Sequence, residues 1–394
     1  MTSTFYPPFH IGGDANHVKY LAEELVKLGH EVHVFYNRDA YVVKRRHSLP
    51  VLESQNGVLV HEFESPLNLS PYGAYLFGDS LPINKAFRAL VSQIEPQIVH
   101  HHNVSLLGYG IISKYGSYAN IYTAHDYWLI CPQNNLLRNG VQECDCNACF
   151  SCAIRRMRTP QIWRYCNSFE NAISSIDLVI APSTYLQRKL SQELNIRSVM
   201  IENFAPLPPS HIPEQRYSNY FLFVGALEKH KGIMNLLEVF RRSRDRIGAK
   251  LLIAGDGSLK SSIVQFIQQH SLSNSVVLLG SLSKEELYPL YLSANALIVP
   301  SICPENSPLV IMEAFSVGTP VIVSNKGGLP EIINKLNMHL VFDNFSQLEE
   351  ILVNFSKKDF PQSEIQHIFE QNFSPHAYVK RYIEALNMLP TLSA

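Results

Sequence analysis

Several things are scarce in this chain, and each absence narrows the reading. An excess of one charge is missing: 33 Lys and Arg stand against 34 Asp and Glu, a formal net charge of -1, and only 17% of the residues are charged. Nothing electrostatic therefore argues for nucleic acid as a partner. Long hydrophobic runs are missing too. No segment approaches the roughly 18 apolar residues that span a bilayer, and no charged-then-apolar leader opens the chain, so a cytoplasmic protein is expected. The seven cysteines are an odd number. In a large chain without an export signal they fit a reducing compartment better than a disulfide framework. Internal repeats, low-complexity tracts and an Asp-x-Asp motif are also absent, and the last leaves no indication of a catalytic divalent metal.

What is present suffices for two domains: 394 residues, 46% of them hydrophobic. Short β-type runs alternate with helix-period segments, the pattern of parallel α/β layers. Strands are expected over 32–36, 98–100, 121–123, 178–181 and 199–201, and again over 221–224, 251–254, 276–279, 296–299 and 321–323. Between the two sets, residues 205–213 hold Pro206, Pro208, Pro209 and Pro213, which forbid a continuous helix or central strand. The first helix follows Gly12-Gly13, carries Val18, Leu21, Ala22, Leu25 and Leu28 on one stripe, and closes at Gly29. A strand should precede Gly12, yet the opening Met1 to Pro8 is too short and proline-rich for a full central one. Either that strand is a stub or the start codon lies upstream; the second is favoured, and intact-mass measurement on the native protein decides it.

The most telling stretch is Cys303 to Ala314, with Glu305 and Glu313 eight residues apart. A helix is expected over 308–317, with Ser307 as N-cap, Pro308 at the first position and Gly318 at the end. Apart from Glu313 its first two turns are apolar. A lone carboxylate on a buried helix is costly without a hydrogen-bonding partner, while the N-terminus near Glu305 offers N–H groups and a positive dipole end suited to phosphate. Together these point to a sugar nucleotide. The plain alternative is a solvated Glu305 and a Glu313 paired with some Lys or Arg.

Further loops sit where a parallel α/β domain places ligands, at the carboxyl ends of strands. They are Gly12-Gly13; Gly225 to Gly232 with Lys231; Gly255-Asp256-Gly257; and Gly327-Gly328. Taken singly, a glycine pair or a first-turn lysine is weak evidence. In this order and spacing, with Glu305-x7-Glu313 running on into Glu313-Ala-Phe-Ser-Val-Gly-Thr-Pro-Val321 as the most specific element, they resemble the retaining glycosyltransferases of family 4, also called glycosyl transferases group 1, over nearly the whole chain. The resemblance implies the GT-B architecture: two doubly wound, Rossmann-like α/β domains facing a central cleft. They would comprise 1–204, with a Cys-rich insertion at about 131–166; a linker, 205–217; 218–374, binding the donor; and a last helix within 375–394 crossing back to the first domain.

Residue by residue, the resemblance implies that Glu313 accepts hydrogen bonds from the nucleotide ribose and Glu305 holds hydroxyls of the donor sugar. Asn306 and Ser307 face the sugar and diphosphate, Lys231 neutralises the leaving diphosphate, and Gly12, Gly13 and Gly225 give backbone access to it. His125, in Thr123-Ala-His-Asp-Tyr127, contacts the donor sugar. One departure stands out: Ala226 occupies a position where the family commonly has arginine, so Lys229 or His230 is expected to supply the second cation. The partners implied are a nucleotide-diphosphate sugar donor and a glycan or lipid-linked acceptor, with a role in cell-surface polysaccharide synthesis and no cofactor required for catalysis. A general-base pair of His125 and Asp126 is a second reading of that loop, and His100, His101 and His102 are read as cleft lining. Other functions stay open: an epimerase or phosphorylase on the same architecture, or a non-catalytic sugar-nucleotide-binding scaffold.

Two features lie outside this scheme. Cys144, Cys146, Cys149 and Cys152, with Cys131 thirteen residues before the first, suit structural zinc by their spacing; competing readings are uncoordinated thiols and an iron–sulfur site, of whose usual run Cys146, Cys149 and Cys152 match only a part. The run Arg155-Arg156-Met157-Arg158, followed by Trp163, Arg164 and Tyr165, is a candidate for peripheral contact with the inner face of a membrane, against a simple solvated face.

Overall fold

A computed structural model describes residues 1–44, 55–138, 142–144 and 148–389. These divide into two compact units, one built from 1–139, 144–202 and the chain from Tyr378 onward, the other largely from 203–377. The proline-bearing stretch 201–219 forms no helix or strand.

The first unit is a seven-stranded parallel sheet. Its strands in chain order are β1 (Thr2–Ser3), β2 (His33–Asn37), β3 (Leu59–Phe63), β4 (Ile98–His101), β5 (Ala119–Thr123), β6 (Leu178–Ala181) and β7 (Ser198–Met200), arranged β3-β2-β1-β4-β5-β6-β7. The first strand is a two-residue stub in register with β2 through Thr2 and Phe35, and with β4 through Thr2 and His101. The order reverses between β1 and β4. That places the loop leading into helix α1 (Gly13–Lys27) beside the loop after β4, the usual ligand crevice of an open parallel sheet. Thr4 N–H donates to Asn103 O across this point at 2.6 Å.

The second unit is a six-stranded parallel sheet of β8 (Tyr220–Val224), β9 (Lys250–Ala254), β10 (Val276–Gly280), β11 (Leu297–Val299), β12 (Val321–Ser324) and β13 (Val341–Phe342), in the order β10-β9-β8-β11-β12-β13. Its switch point lies between β8 and β11. Strand residues such as Leu222, Leu251, Leu252, Ile253 and Leu297 are fully buried because helices cover both faces of a parallel sheet, which is why these strands read as unbroken apolar runs. Each such side chain contributes about 1.5–3 kcal/mol of burial. Helix α3 (Ile233–Ile247) buries Ile233, Leu236, Leu237 and Phe240 on one stripe, and α4 (Leu309–Ser316) is buried nearly all round. Helix α5 (Pro375–Asn387) brings Tyr378 and Tyr382 into the first unit's interior.

All ten strands expected from sequence are present, with ends moved by one or two residues. Three expectations need correction. Helix α4 starts at Leu309 with Pro308 as the residue before it, and Ser307 does not cap it: the Ser307 hydroxyl accepts from Asn203 N–H at 3.1 Å, so its oxygen is spent on another segment. His100, His101 and His102 are buried rather than cleft-lining. His100 bonds Thr123 and Tyr382, and His101 bonds Thr2. Trp163 is no membrane anchor; it is 6% exposed among Tyr109, Trp128 and Phe169, and its indole N–H donates to Tyr75 O at 3.2 Å.

Candidate active site

In the second unit, the loops after β8 and β11 converge at the switch point. Strand β8 ends at Val224, and Gly225 turns the chain against Gly255, where a Cβ would sit 1.9 Å from Gly225 O. Only glycine lets the two turns touch. The chain then passes through the 3-10 turn Lys229–Lys231 into α3. From the other side, the loop after β11 carries Ser301, Cys303 and Glu305.

The two loops meet in one ion pair. Lys231 Nζ lies 2.6 Å from Glu305 Oε1, and Ser301 Oγ donates to the same oxygen at 2.7 Å. The side chains are 27% and 13% exposed. Burial opposes the charge on each, yet the pairing outweighs it: Lys231 is held above the ordinary lysine value, and Glu305, with further help from Ser301 and His230, below the ordinary carboxylate value. Both are charged at neutral pH. The His230 carbonyl accepts from Ile302 N–H at 2.9 Å, which ties the two loops together. The Glu305 backbone is clamped as well. Gly328 N–H donates to Glu305 O at 2.6 Å, and Gly327, at φ 62°, has no room for a side chain, since a Cβ would lie 2.2 Å from that oxygen.

Glu313 is the fifth residue of α4, at the start of its second turn, and is 7% exposed. Its burial is balanced from within the protein. Tyr291 OH donates to Oε2 at 3.0 Å and Lys284 Nζ stands 3.2 Å from Oε1. The plain alternative for Glu313, an ion pair, is therefore part of the truth, whereas that for Glu305 is not, since Glu305 is enclosed. Asn306 and Ser307 are buried between the carboxylates, and Asn203 binds Ser307 O through Nδ2 at 2.7 Å. The sequence offered no sign of Tyr291, Lys284, Ser301 or Asn203; all act on the carboxylate stretch from elsewhere in the chain.

Gly12, Gly13 and His125 belong to the first unit. Both glycines are exposed, with Gly12 capping α1 at φ 91°. Asp14, in the first turn of α1, accepts from Asn103 Nδ2 at 2.6 Å. His125, at the end of β5, places Nε2 3.0 Å from His102 Nδ1, and its ring centroid lies 4.9 Å from that of His17. Burial pulls His125 down to about 4, with Asp14 opposing, so it is a neutral imidazole at pH 7. The neighbouring Asp126 carboxylate accepts from Trp128 N–H at 2.8 Å and Asn134 Nδ2 at 3.2 Å, and burial pushes it up to about 7. Cys146 lies outside the described residues. No helix among the described residues is long and apolar enough to cross a membrane.

Both units resemble known proteins. The Glycosyltransferase Family 4 model matches residues 11–206 and the Glycosyl transferases group 1 model residues 210–352. An uncharacterized glycosyltransferase of Methanocaldococcus jannaschii is 26% identical over 84% of this chain and 82% of its own. The phosphatidylinositol N-acetylglucosaminyltransferase gpi3 subunit of Schizosaccharomyces pombe is 24% identical over 84% and 67%. The fold matches that of Anabaena HepE, crystallised with UDP, with a TM-score of 0.63 at 16% identity over 98% of both chains.

Proposed function

Because the chain belongs to the GT-B glycosyltransferases of the family-4 type, we propose that it is a retaining, metal-independent enzyme transferring a sugar from a nucleoside-diphosphate donor to a glycan or lipid-linked acceptor. The observation that carries this reading is the Lys231–Glu305 pair at the second sheet's switch point, with Glu313 eight residues further on. The UDP bound to HepE supports a nucleoside diphosphate as the leaving group.

In the proposed reaction the bond from the sugar's anomeric carbon to the diphosphate oxygen breaks, and the acceptor oxygen bonds to that carbon on the same face. The acceptor's proton passes to the departing phosphate. Lys231 has three donors and spends one on Glu305, so it also reaches a diphosphate oxygen, where charge grows in the transition state. Glu305, ionised and rigidly held, accepts from the sugar's hydroxyls. Glu313 anchors the ribose through the oxygens that Tyr291 and Lys284 orient. Lys229 or His230 takes the place of the cation absent at Ala226, and neutral His125 hydrogen-bonds the sugar.

A role in cell-surface polysaccharide synthesis on the cytoplasmic side of a membrane fits a second observation. Phe150, Ile154, Met157, Ile162 and Tyr165 are exposed, with Arg155 and Arg158 exposed among them. Such a surface suits an anionic lipid headgroup layer. The test of the reaction is donor turnover. A panel of sugar nucleotides is screened by thermal shift, the binder is assayed for transfer, and the anomeric configuration of the product is read by NMR. Glu313→Ala is expected to abolish turnover in a folded protein; an unchanged rate, or an inverted product, overturns the reading.

A further inference from the structure

The loop after β5 and the short helix α2 (Cys149–Arg155) gather four cysteines that the proposed reaction does not use. Cys131, Cys144, Cys149 and Cys152 line one cavity of about 20 Å³. Their backbones are held individually: Cys131 N–H donates to Tyr127 O at 2.7 Å, Cys144 N–H to Leu136 O at 2.7 Å, and Cys152 N–H to Ala148 O at 3.0 Å. Cys149 and Cys152, three apart on α2, share a face. The four side chains thus border one small enclosed space.

Arg164 is the second, independent observation. Its Nε and Nη1 donate to neutral acceptors, Gln161 Oε1 at 2.6 Å and Trp128 O at 2.7 Å, and its Nη2 is buried without a hydrogen-bond partner. Trp128 lies three residues before Cys131, so the bond to its carbonyl ties the guanidinium to the loop that carries that cysteine. A guanidinium with a buried donor unmet and only uncharged hydrogen-bond acceptors is costly. Four thiolates around a divalent cation carry a net charge of about -2, which would give Arg164 its counter-charge.

We propose that Cys131, Cys144, Cys149 and Cys152 bind one zinc ion as a tetrathiolate, with Arg164 as the balancing cation. The ligand set differs from the one expected from sequence by taking Cys131 in place of Cys146. A cavity of about 20 Å³ holds roughly one water-sized sphere, which suits a single ion and not an iron–sulfur cluster. Among the described residues no three of these sulfurs lie within 4.8 Å of one another. Zinc–sulfur bonds of about 2.3 Å therefore draw the loop and α2 together, and each of the four thiols gives up its proton as it binds. The loop drawn in is the one that leaves β5 through His125, six residues before Cys131.

The test uses the full chain, reduced and stripped of metal, titrated anaerobically with cobalt(II) and separately reloaded with zinc for elemental analysis. One equivalent of each is expected, with the intense thiolate-to-cobalt charge-transfer band and the visible bands of tetrahedral cobalt. Cys146→Ser and Cys166→Ser should keep the metal, while Cys131→Ser, Cys144→Ser, Cys149→Ser and Cys152→Ser should lose it. Cys131→His, which retains a ligand, guards against simple misfolding: it should hold cobalt with a weakened charge-transfer band. Zinc lost in Cys146→Ser but kept in Cys131→Ser, an unaltered cobalt spectrum in Cys131→His, iron with sulfide in place of zinc, or no stoichiometric metal at all each overturns the proposal.

Discussion

Lys231 and Glu305 are 74 residues apart in the chain and 2.6 Å apart in the fold, each held charged by the other against its own burial. Lys231→Ala should therefore do two separable things. Removing the charge facing the leaving group is expected to lower kcat by about 10²–10³-fold. Leaving Glu305 enclosed and unpaired is expected to cost about 1–3 kcal/mol of stability, read as a lower melting temperature. Adding Glu305→Gln should recover most of the stability and none of the activity. Recovery of both would mean the pair is merely structural.

The same pair sets a pH dependence. Glu305 is held below the ordinary carboxylate value in the folded protein, so the unfolded chain binds its proton first as pH falls. Its contribution is complete above about pH 4.5 and is lost as pH drops from there through the folded value. In Glu305→Gln that part of the acid-side loss should vanish in denaturant titrations across this range.

His17, His100, His101, His102 and His125 act at a higher pH. Burial lowers all five, His101 to about 3 and His125 to about 4. Here the folded values lie below the unfolded one, so the unfolded state binds more protons once pH falls below about 6.5, and stability falls with it. The slope is at most about 1.4 kcal/mol per pH unit for each imidazole. His102→Gln should reduce the slope between pH 6.5 and 5 by roughly one proton's worth. A slope unchanged by that substitution would show that His102 is protonated in the folded state.

Much of this was legible before the fold, for an identifiable reason. Strands such as β8 and β9 are buried on both faces, so their apolar runs stand out, and the motifs follow the strands directly. Strand β3 escaped notice because Leu59–Phe63 is a half-exposed edge that carries His61 and Glu62. The carboxylate stretch stands out in the sequence, but the groups it meets do not. Tyr291 sits in a helix interrupted by Pro289, Lys284 opens that helix like any first-turn lysine, and Asn203 reaches Ser307 from 104 residues away. Periodicity records which face of an element is buried, not which distant side chain meets it. Glu313 shows the limit: its burial requires a partner, and the fold meets the requirement with Tyr291 and Lys284.

Gly327 offers a test of how closely the Glu305 backbone must be held. At φ 62° with a Cβ position 2.2 Å from Glu305 O and 2.7 Å from Glu305 N, alanine has no accommodation without moving one of the two loops. Gly327→Ala is expected to destabilise the second unit by at least about 1–3 kcal/mol and to raise KM for the donor more than it lowers kcat. A change in kcat alone would place Glu305 outside ground-state sugar binding.

Tyr291→Phe addresses Glu313 with the smallest chemical change available. The ring stays and the 3.0 Å hydrogen bond to Oε2 goes, while Lys284 continues to face Oε1. A single buried hydrogen bond to a charged acceptor contributes about 1.5–3 kcal/mol. If Tyr291 serves only to balance a buried carboxylate, the whole effect should fall on the melting temperature of the unliganded protein. If it also aims Glu313 at a ribose, donor affinity measured by calorimetry should drop several-fold, and the drop should be smaller for a donor analogue lacking the ribose 2′- and 3′-hydroxyls. Equal losses for both donors would mean that Glu313 does not touch the ribose, and the nucleotide anchor would have to be sought elsewhere in the second unit.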